Sequence, residues 1–336
     1  MQATDREVES AAAALRAGEV VAFPTETVYG LGAAARNVEA VQRVFALKRR
    51  PHTHPLIVHL LDASELPRWA RQITSPAQQL AEHFWPGPLT LVLPRAAGVP
   101  DAVTGGQDTV ALRVPAHPVA RRLLAAFGDG IAAPSANRYG HVSPTRAQHV
   151  RDEFGSSMRW LLDGGDCDVG LESTIVDCSG PVPRLLRPGS ITLTQLRAVV
   201  PQVEAGAAAE SPRVPGSDAA HYAPRTPLAV IADEALEDSV ARASAAGRRC
   251  SVLARRAPRR VIQDTIWIDA GADVVRFGHD LYAHLRELDR AGAACILVQA
   301  PPPGDDWEAV RDRLRRASDP VAQSELTDAL RPGVLP

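Results

Sequence analysis

The chain is almost without lysine. Lys48 is the single lysine among 37 basic residues, and the other 36 are arginines. Because the chain otherwise uses arginine, the single lysine predicts a site that needs a compact charge on a thin side chain. A narrow phosphate pocket is such a site, since a planar guanidinium cannot replace the ammonium there. The surrounding segment 46–51, Ala-Leu-Lys-Arg-Arg-Pro, is equally typical of an exposed helix end whose basic residues complement the helix dipole. The segment alone leaves both interpretations open.

Other scarcities exclude whole classes of protein. The 336 residues have a net charge of -2 and contain 4% aromatic residues, which argues against a protein that coats nucleic acid or stacks on its bases. The four cysteines fit neither a zinc site nor a disulfide framework, so we expect free thiols. No apolar run is long enough to span a membrane, and the first residues are polar and acidic rather than signal-like. We therefore expect a cytoplasmic protein.

Hydrophobic periodicity predicts two α/β domains. The first alternates helices with strands, and the strands are predicted over 20–23, 56–61, 89–93, 109–114 and 131–133. Its helices are predicted over 8–17, 38–47, 77–84 and 119–127. A smaller parallel sheet is predicted from strands over 228–231, 250–253, 265–268 and 295–299, with helices over 234–246, 277–291 and 306–316.

A stretch rich in Ala, Gly, Ser and Pro over 203–217 is the linker candidate between the two domains. A passive tether would not need the His-Tyr-Ala-Pro run at 221–224, so the segment is also predicted to act as a lid. The predicted boundaries are 1–205 for a catalytic domain, 206–226 for the linker or lid, and 227–336 for a Rossmann-like accessory domain.

Six polar segments lie at strand ends in the first domain, which is where open α/β sheets bind ligands. They are residues 24–32, Lys48 with Arg50, Arg113, residues 134–137 with 143–145, residues 172–174, and residues 186–189. Ser, Thr, Asn, Gly and Pro also favour turns and caps, so any one segment alone is more often a turn than a site. Arg113 differs, because an arginine between apolar strand residues is rarely buried without a carboxylate or phosphate partner.

The inventory of polar groups indicates chemistry at phosphorus. The sequence has no phosphate loop ending in Gly-Lys-Ser, no pair of carboxylates beside a nucleophile and no metal-ligand cluster. His52, His54 and His59 are compatible with a metal trio, but the first two flank a proline-bounded turn, which favours ligand contact or exposure. Hydroxyls, a few cations and glycine turns bind a multiply charged anion and stabilise displacement at phosphorus by position and charge.

Taken together, these motifs resemble the YrdC-like family of threonylcarbamoyl-AMP synthases in its long two-domain form. The resemblance spans about residues 15–225, and its strings occur in the family's order at 24–32, 48–51, 55–59, 85–90, 113–115, 133–137, 143–145, 172–174, 186–189 and 221–224. Each string is weak alone, whereas the set is specific. The fold that the resemblance implies is a YrdC-like twisted open sheet with helices, followed by a smaller Rossmann-like parallel α/β domain.

The resemblance implies a nucleotidyltransferase. Its reaction joins L-threonine, bicarbonate and ATP to give L-threonylcarbamoyl-AMP, pyrophosphate and water, with Mg²⁺ accompanying the ATP. The product serves the threonylcarbamoyladenosine modification of tRNA next to the anticodon. The implied partners are therefore the three substrates and a downstream tRNA threonylcarbamoyl transferase complex, with no stable tRNA binding and no membrane.

The resemblance also implies roles for individual residues. Lys48 and Arg50 match the positions that act in catalysis. L-threonine contacts are implied for Thr27, His59, Arg113 (on the carboxylate), Ala133 (through its backbone) and Ser173. ATP contacts are implied for Lys48, Arg50, His54, Thr109, Ser135, Asn137, Ser143, Arg187 and Tyr222, and protein ligands to a metal for none.

Two positions depart from the family pattern. His54 stands where the family usually has Asn, and Arg49 stands where it usually has a small or polar residue. Two other functions compete. A nucleic-acid-binding module is disfavoured by the near-neutral charge, and a carbamoyl transferase of the same superfamily is disfavoured because its acylphosphatase and zinc-finger segments are missing from this sequence.

Overall fold

The structure, a computed structural model, describes residues 3–216, 221–260 and 263–318. These residues form two compact units. The first comprises residues 3–139 and 143–216, and the second comprises residues 140–142 and 221–318. The chain thus leaves the first unit inside the segment 206–226 that the sequence predicts as a linker, of which residues 217–220 lie outside the described residues.

The first unit is built on one mixed ten-stranded sheet with the order β10-β9-β8-β4-β5-β3-β6-β2-β1-β7. Its strands are β1 (Val21–Phe23), β2 (Gly30–Ala34), β3 (Ile57–His59), β4 (Leu89–Pro94), β5 (Thr109–Arg113), β6 (Ile131–Ala132), β7 (Trp160–Leu161), β8 (Thr174–Asp177), β9 (Arg184–Arg187) and β10 (Glu204–Ala205). Its helices are α1 (Asp5–Arg16), α2 (Val38–Lys48), α3 (Leu66–Trp69), α4 (Ser75–Phe84), α5 (Asp101–Thr104), α6 (Pro118–Phe127), α7 (Ala147–Phe154) and α8 (Leu193–Val199), with 3₁₀ turns at Ala63–Glu65 and Gly155–Ser157.

Local sequence sets where α2 begins and ends, and this places the lone lysine. The Asn37 side chain caps the first turn by accepting from the backbone N–H of Ala40. The helix ends at Arg49, whose φ of 54° is left-handed, a conformation that commonly closes helices. Lys48 is therefore in the last helical turn and buried, while Arg49 is exposed.

The sequence does not predict strand β2, whose first three residues fall in the polar segment 24–32. It pairs antiparallel with β1, with Gly32 opposite Val21. A Cβ atom at Gly32 would lie 2.7 Å from both Ile131 Cγ2 and Phe23 Cε1, so only glycine allows the neighbouring side chains to pack this closely.

The two faces of the large sheet are covered differently. One face packs against α2, α3, α4, α7 and α8 in the main apolar core, whose members include Val44, Trp69 and Leu80. On the opposite face, α1 and α6 cover the region of β1 and β6. The residues of β3, β5, β4 and β8 on that second face form a separate small cluster, in which the one residue from outside the sheet is Val214, within the described chain.

The second unit has a four-stranded parallel sheet with the order β11-β14-β12-β13, as the sequence predicts. Its elements are β11 (Leu228–Ile231), α9 (Asp233–Ala245), β12 (Cys250–Ala254), β13 (Ile266–Asp269), α10 (Val274–Arg290), β14 (Cys295–Gln299) and α11 (Glu308–Ala317). None of the helices in the described ranges combines the length and the hydropathy needed to cross a membrane.

Candidate active site

Arg113 lies at the end of β5 on the second face of the sheet, and its side chain is 3% exposed. Its Nη1 donates to Thr27 Oγ1 at 2.8 Å, and its Nε donates to the Gly87 carbonyl at 3.3 Å. The carboxylate that the sequence argument requires is present within the protein: Glu26 Oε1 lies 2.7 Å from Arg113 Nη2. These two atoms form a buried ion pair, and Glu26 Oε2 also accepts from the backbone N–H of Ala116 at 3.1 Å.

His59 lies beside this arginine. Strand β3 pairs parallel with β5, and the register places His59 opposite Arg113. Burial, followed by the Arg113 charge, lowers the pKa of His59 to about 3, so the ring is neutral at physiological pH. Its ring meets Phe23 edge to face at a centroid distance of 5.9 Å, and its Nδ1 has no hydrogen-bond partner among the described residues.

Ser173 is held from two sides. Its hydroxyl lies 2.7 Å from Thr90 Oγ1, and Arg187 Nη2 donates to Ser173 Oγ at 3.1 Å and to its carbonyl at 2.8 Å. All three side chains are buried. Ser173 precedes β8 and Arg187 ends β9, so antiparallel pairing of these strands brings them together.

Lys48 organises the loop that follows β6. Its Nζ donates to the Ser135 carbonyl at 2.6 Å and also to the Asn137 carbonyl. The Lys48 carbonyl in turn accepts from the backbone N–H of Tyr139 at 2.8 Å. Lys48 is 1% exposed, and burial, together with the nearby Arg50 charge, holds its pKa well below the ordinary value. The exposed helix end that the sequence left open is therefore not observed for Lys48.

Arg50 and His54 both lie against the ring of Tyr139. Arg50 Nη2 donates to the Pro55 carbonyl at 3.1 Å, and its guanidinium lies 5.8 Å from the Tyr139 ring centroid. The half-buried His54 meets the same ring edge to face at 5.6 Å. His54, which departs from the family pattern, therefore contacts the same ring as Arg50, a predicted nucleotide contact. Across the described residues, no three or more His, Cys, Asp or Glu side chains form a metal-binding group, so the histidine trio is not a metal site there.

The remaining segments are joined to these by hydrogen bonds. Ser143 Oγ donates to Glu172 Oε1 at 2.5 Å, and both side chains are buried. Tyr29, in the segment 24–32, donates its N–H to the Pro144 carbonyl at 2.9 Å and accepts from the N–H of Ala136 at 2.7 Å. The Ala133 N–H donates to Ile57 at 2.9 Å. The polar segments chosen from the sequence are thus joined in one hydrogen-bonded network rather than being separate turns.

The remaining two predicted contacts are Thr109 and Tyr222. Thr109 begins β5 on the same side of the strand as Arg113, roughly 13 Å away at about 3.3 Å a residue. Tyr222 belongs to the second unit, where it has a φ of 62° and is buried. Its ring stacks on Tyr282 at 5.9 Å, and the Arg313 guanidinium lies 5.2 Å from its centroid.

Sequence reasoning gave no role to three residues that the structure places at the site. Glu26 pairs with Arg113, Thr90 contacts Ser173, and Val214 packs on the open sheet face. The signal for Glu26 was available, since it is the one acidic residue among the hydroxyls of segment 24–32. Thr90 has a weaker signal, a polar residue between Leu89 and Leu91 on a strand.

The end of the predicted linker is docked on the first unit. The Pro215 carbonyl accepts from Arg187 Nη1 at 2.8 Å. Gln107 and the backbone of Arg213 exchange two hydrogen bonds, at 3.1 and 2.7 Å. Val214 lies between these anchors against Ala111 and its neighbours on the sheet. The segment therefore covers the part of the sheet face that no helix covers in the described structure.

The comparisons with known proteins agree with the motifs. Residues 13–189 match the Sua5/YciO/YrdC family model, described as "Telomere recombination", and residues 191–319 match "Threonylcarbamoyl-AMP synthase, C-terminal domain". A threonylcarbamoyl-AMP synthase of Pyrococcus abyssi is 38% identical over 93% of this chain and 94% of its own length, and one of Bacillus subtilis is 38% identical over 95% and 94%. The crystal structure of P. abyssi Sua5 complexed with L-threonine has a TM-score of 0.87 and 37% identity, covering 94% of this chain and 95% of that one. The chain belongs to the Sua5/YciO/YrdC family, in the two-domain form of the threonylcarbamoyl-AMP synthases.

Proposed function

We propose that this enzyme makes L-threonylcarbamoyl-AMP from L-threonine, bicarbonate and ATP, with release of pyrophosphate, for the modification of the tRNA adenosine next to the anticodon. The observation that carries the proposal is the buried Arg113–Glu26 ion pair, which lies beside a neutral histidine. An amino-acid carboxylate suits the Arg113 guanidinium, and the Glu26 carboxylate beside it suits an amine.

At the threonine end, Arg113 is proposed to bind the carboxylate of L-threonine. Thr27 and Ser173 supply hydroxyls, His59 a neutral ring nitrogen, and Ala133 its backbone. A neutral imidazole can accept a hydrogen bond from the substrate and adds no second positive charge next to Arg113.

At the nucleotide end, Lys48, Arg50 and Arg187 are proposed to bind the phosphates. An ammonium group has three donors, and two of those on Lys48 are used by the carbonyls of Ser135 and Asn137. The third is available for a phosphate oxygen, and a bound polyphosphate would raise the depressed pKa of Lys48 again. Other ATP contacts are proposed for the residues that the motifs select, namely His54, Thr109, Ser135, Asn137, Ser143 and Tyr222.

Magnesium is proposed to arrive with the triphosphate. Mg²⁺ needs one or two carboxylates together with phosphate oxygens and waters, and the buried Ser143–Glu172 pair offers a hydroxyl and a carboxylate 2.5 Å apart. Ser143 and Glu172 would hold the ion, which would neutralise the charge that develops on the pyrophosphate.

The chemistry proposed for the protein is positioning. Threonine and bicarbonate condense to a carbamate without a dedicated base, and the carbamate oxygen attacks the α-phosphorus while the bond to pyrophosphate breaks. Arg113 fixes the threonine, and Lys48 with Arg50 stabilises the leaving group. Docking of residues 211–216 over the sheet face would exclude water from a carbamate and an adenylate that both hydrolyse.

The same proposal places the enzyme in the cytoplasm, where it would supply a tRNA threonylcarbamoyl transferase complex without holding tRNA itself. Retention of tRNA by the protein in a filter-binding assay at physiological salt would contradict the second part.

Pyrophosphate release tests the function directly. The purified chain is incubated with ATP, L-threonine and bicarbonate, and then with each omitted in turn. We expect release only when all three are present, and its loss in Arg113→Lys but not in Arg184→Lys, a partly exposed arginine paired with Glu204. Release without threonine or without bicarbonate would refute the proposed reaction.

A further inference from the structure

Two of the four cysteines face each other across neighbouring strands of the second unit. Cys250 begins β12 and Cys295 begins β14, and the parallel register places them directly opposite. Neighbouring strands lie about 4.7–4.9 Å apart, which is within the roughly 4.4–6.8 Å that separates Cα atoms joined by a disulfide. The two Sγ atoms are 2.7 Å apart, and both residues are free thiols.

The packing around the pair leaves it few other arrangements. Cys250 is 2% exposed and Cys295 is fully buried, and both lie in the apolar cluster beneath α9 with Leu236 and Val240. Just before the pair, the Ala294 N–H donates to the Arg249 carbonyl at 2.8 Å, so the two strands are joined where the cysteines enter the sheet. A bond of about 2.05 Å between the sulfurs needs only a small side-chain movement from the observed 2.7 Å.

The two thiols are not equivalent. The hydrogen bond between them raises the pKa of Cys250 and lowers the pKa of Cys295. Cys295 therefore ionises first, and the thiolate is the nucleophilic form of cysteine. Cys250 is the thiol that ionises second, and the exposed Arg248 lies two residues before it in the chain.

We propose that Cys250 and Cys295 are a covalent modification site that forms a reversible intramolecular disulfide on contact with a peroxide. The Cys295 thiolate attacks a peroxide oxygen and the O–O bond breaks, which gives a sulfenic acid and one water (or alcohol) after protonation. The Cys250 sulfur then attacks the Cys295 sulfur, and a second water leaves. In all, two thiols lose two electrons and two protons, and the peroxide is reduced. A small dithiol reverses the change by exchange.

The other two cysteines are internal controls. Cys167 and Cys178 are equally buried, and burial raises the pKa of both thiols, that of Cys178 to about 12. Neither has a sulfur neighbour among the described contacts. A difference between the two pairs therefore reports the geometry of the strand pair rather than burial.

Peptide mapping of the full chain tests the proposal. The reduced protein is freed of reductant, treated with stepwise hydrogen peroxide under native conditions, denatured, alkylated and digested with trypsin. Cleavage after arginine places Cys250 in peptide 250–255, Cys295 in peptide 291–311, and both control cysteines in peptide 160–184. We expect alkylatable thiols to fall from four to two, with 250–255 linked to 291–311, 160–184 still doubly alkylated, and full recovery of four thiols after dithiothreitol.

Matched variants complete the test. Cys295→Ser should keep three alkylatable thiols under the same peroxide treatment, whereas Cys250→Ser should form no linked peptide and stop at a Cys295 sulfenic acid that a dimedone probe traps in peptide 291–311. Pyrophosphate release by both variants in reductant should match that of the wild type. The proposal is overturned if the wild type keeps four thiols at peroxide levels that oxidise free glutathione. It is also overturned if the control peptide reacts first, or if the linked peptides come from two different chains.

Discussion

Replacing Lys48 by arginine keeps the charge, so this variant tests whether the single lysine has a role that arginine cannot fill. The Lys48 ammonium is enclosed, since its side chain is 1% exposed and donates to the carbonyls of Ser135 and Asn137. A guanidinium in the same space must displace its neighbours, and overpacking of this kind costs about 1–3 kcal/mol. Its planar set of donors also cannot reproduce the ammonium's arrangement of two bonds to carbonyls and a third that we propose for a phosphate oxygen.

The expected loss follows from the value of one hydrogen bond to a charged group, about 1.5–3 kcal/mol. If that bond acts in the transition state, kcat/KM for ATP should fall roughly 10- to 150-fold. The assay is pyrophosphate release at saturating threonine and bicarbonate. Thermal unfolding of the variant is measured alongside, so that a loss of fold is not mistaken for a loss of catalysis.

The neighbouring residue supplies the control. Arg49→Lys makes the reverse exchange one position along the chain, at an exposed side chain, and should leave kcat/KM within about twofold because exposed charges contribute little. Near-normal release by Lys48→Arg would refute the interpretation of the lone lysine, and equal losses in both variants would show that the segment tolerates no exchange at all.

Three further predictions concern the rest of the site. Arg113→Lys should weaken L-threonine binding roughly 10- to 150-fold in calorimetry, by loss of about 1.5–3 kcal/mol, while ATP binding hardly changes; equal losses would mean that Arg113 is assigned to the wrong substrate. The pKa of His59 is about 3 in the folded protein and about 6.5 in the unfolded chain, so the unfolded chain takes up the proton first as the pH falls. The free energy of unfolding should therefore fall by about 2 kcal/mol from pH 7 to pH 5, and His59→Gln should remove this contribution. Urea unfolding that gives the same pH dependence for the wild type and the variant would contradict the prediction. Proteolytic cleavage within residues 206–216 should slow when ATP and threonine are both bound, and should stay fast in Val214→Asp, which places a charge on the apolar sheet face; identical cleavage with and without ligands would reduce the segment to a connector.

The sequence predicts most elements to within a few residues because their apolar spacing is regular. The strands Leu228–Ile231 and Cys295–Gln299 match their predicted bounds, and α2 differs by one residue. No bounds are predicted for strands β8 and β9. β8 is buried at every position, so it shows no alternation of apolar and polar residues that would mark a strand.

The site itself is predicted less completely, for a different reason. The motifs identify which residues belong to it, but the contacts between them depend on strand order. Arg113 reaches Glu26, which is 87 positions away, because the sheet places β3 and β5 side by side and folds segment 24–32 back onto them. The sequence predicts a carboxylate or phosphate partner for Arg113 but not that Glu26 supplies it, and it does not indicate that Lys48 donates two hydrogen bonds to the backbone.

The single lysine also gives this enzyme one side-chain site for amine labelling. Lys48 carries the one ε-amine of the chain, so an amine-reactive reagent has a single side-chain target besides the α-amino group. Its depressed pKa leaves more of the amine unprotonated and nucleophilic than in an ordinary lysine, while burial restricts access, so the labelling rate measures how often Lys48 becomes accessible. A lysine-specific protease has one site in this chain, so its cleavage after Lys48 reports whether that residue is labelled. Exposure of Lys48 can thus be followed in the protein with its own sequence, without an introduced residue.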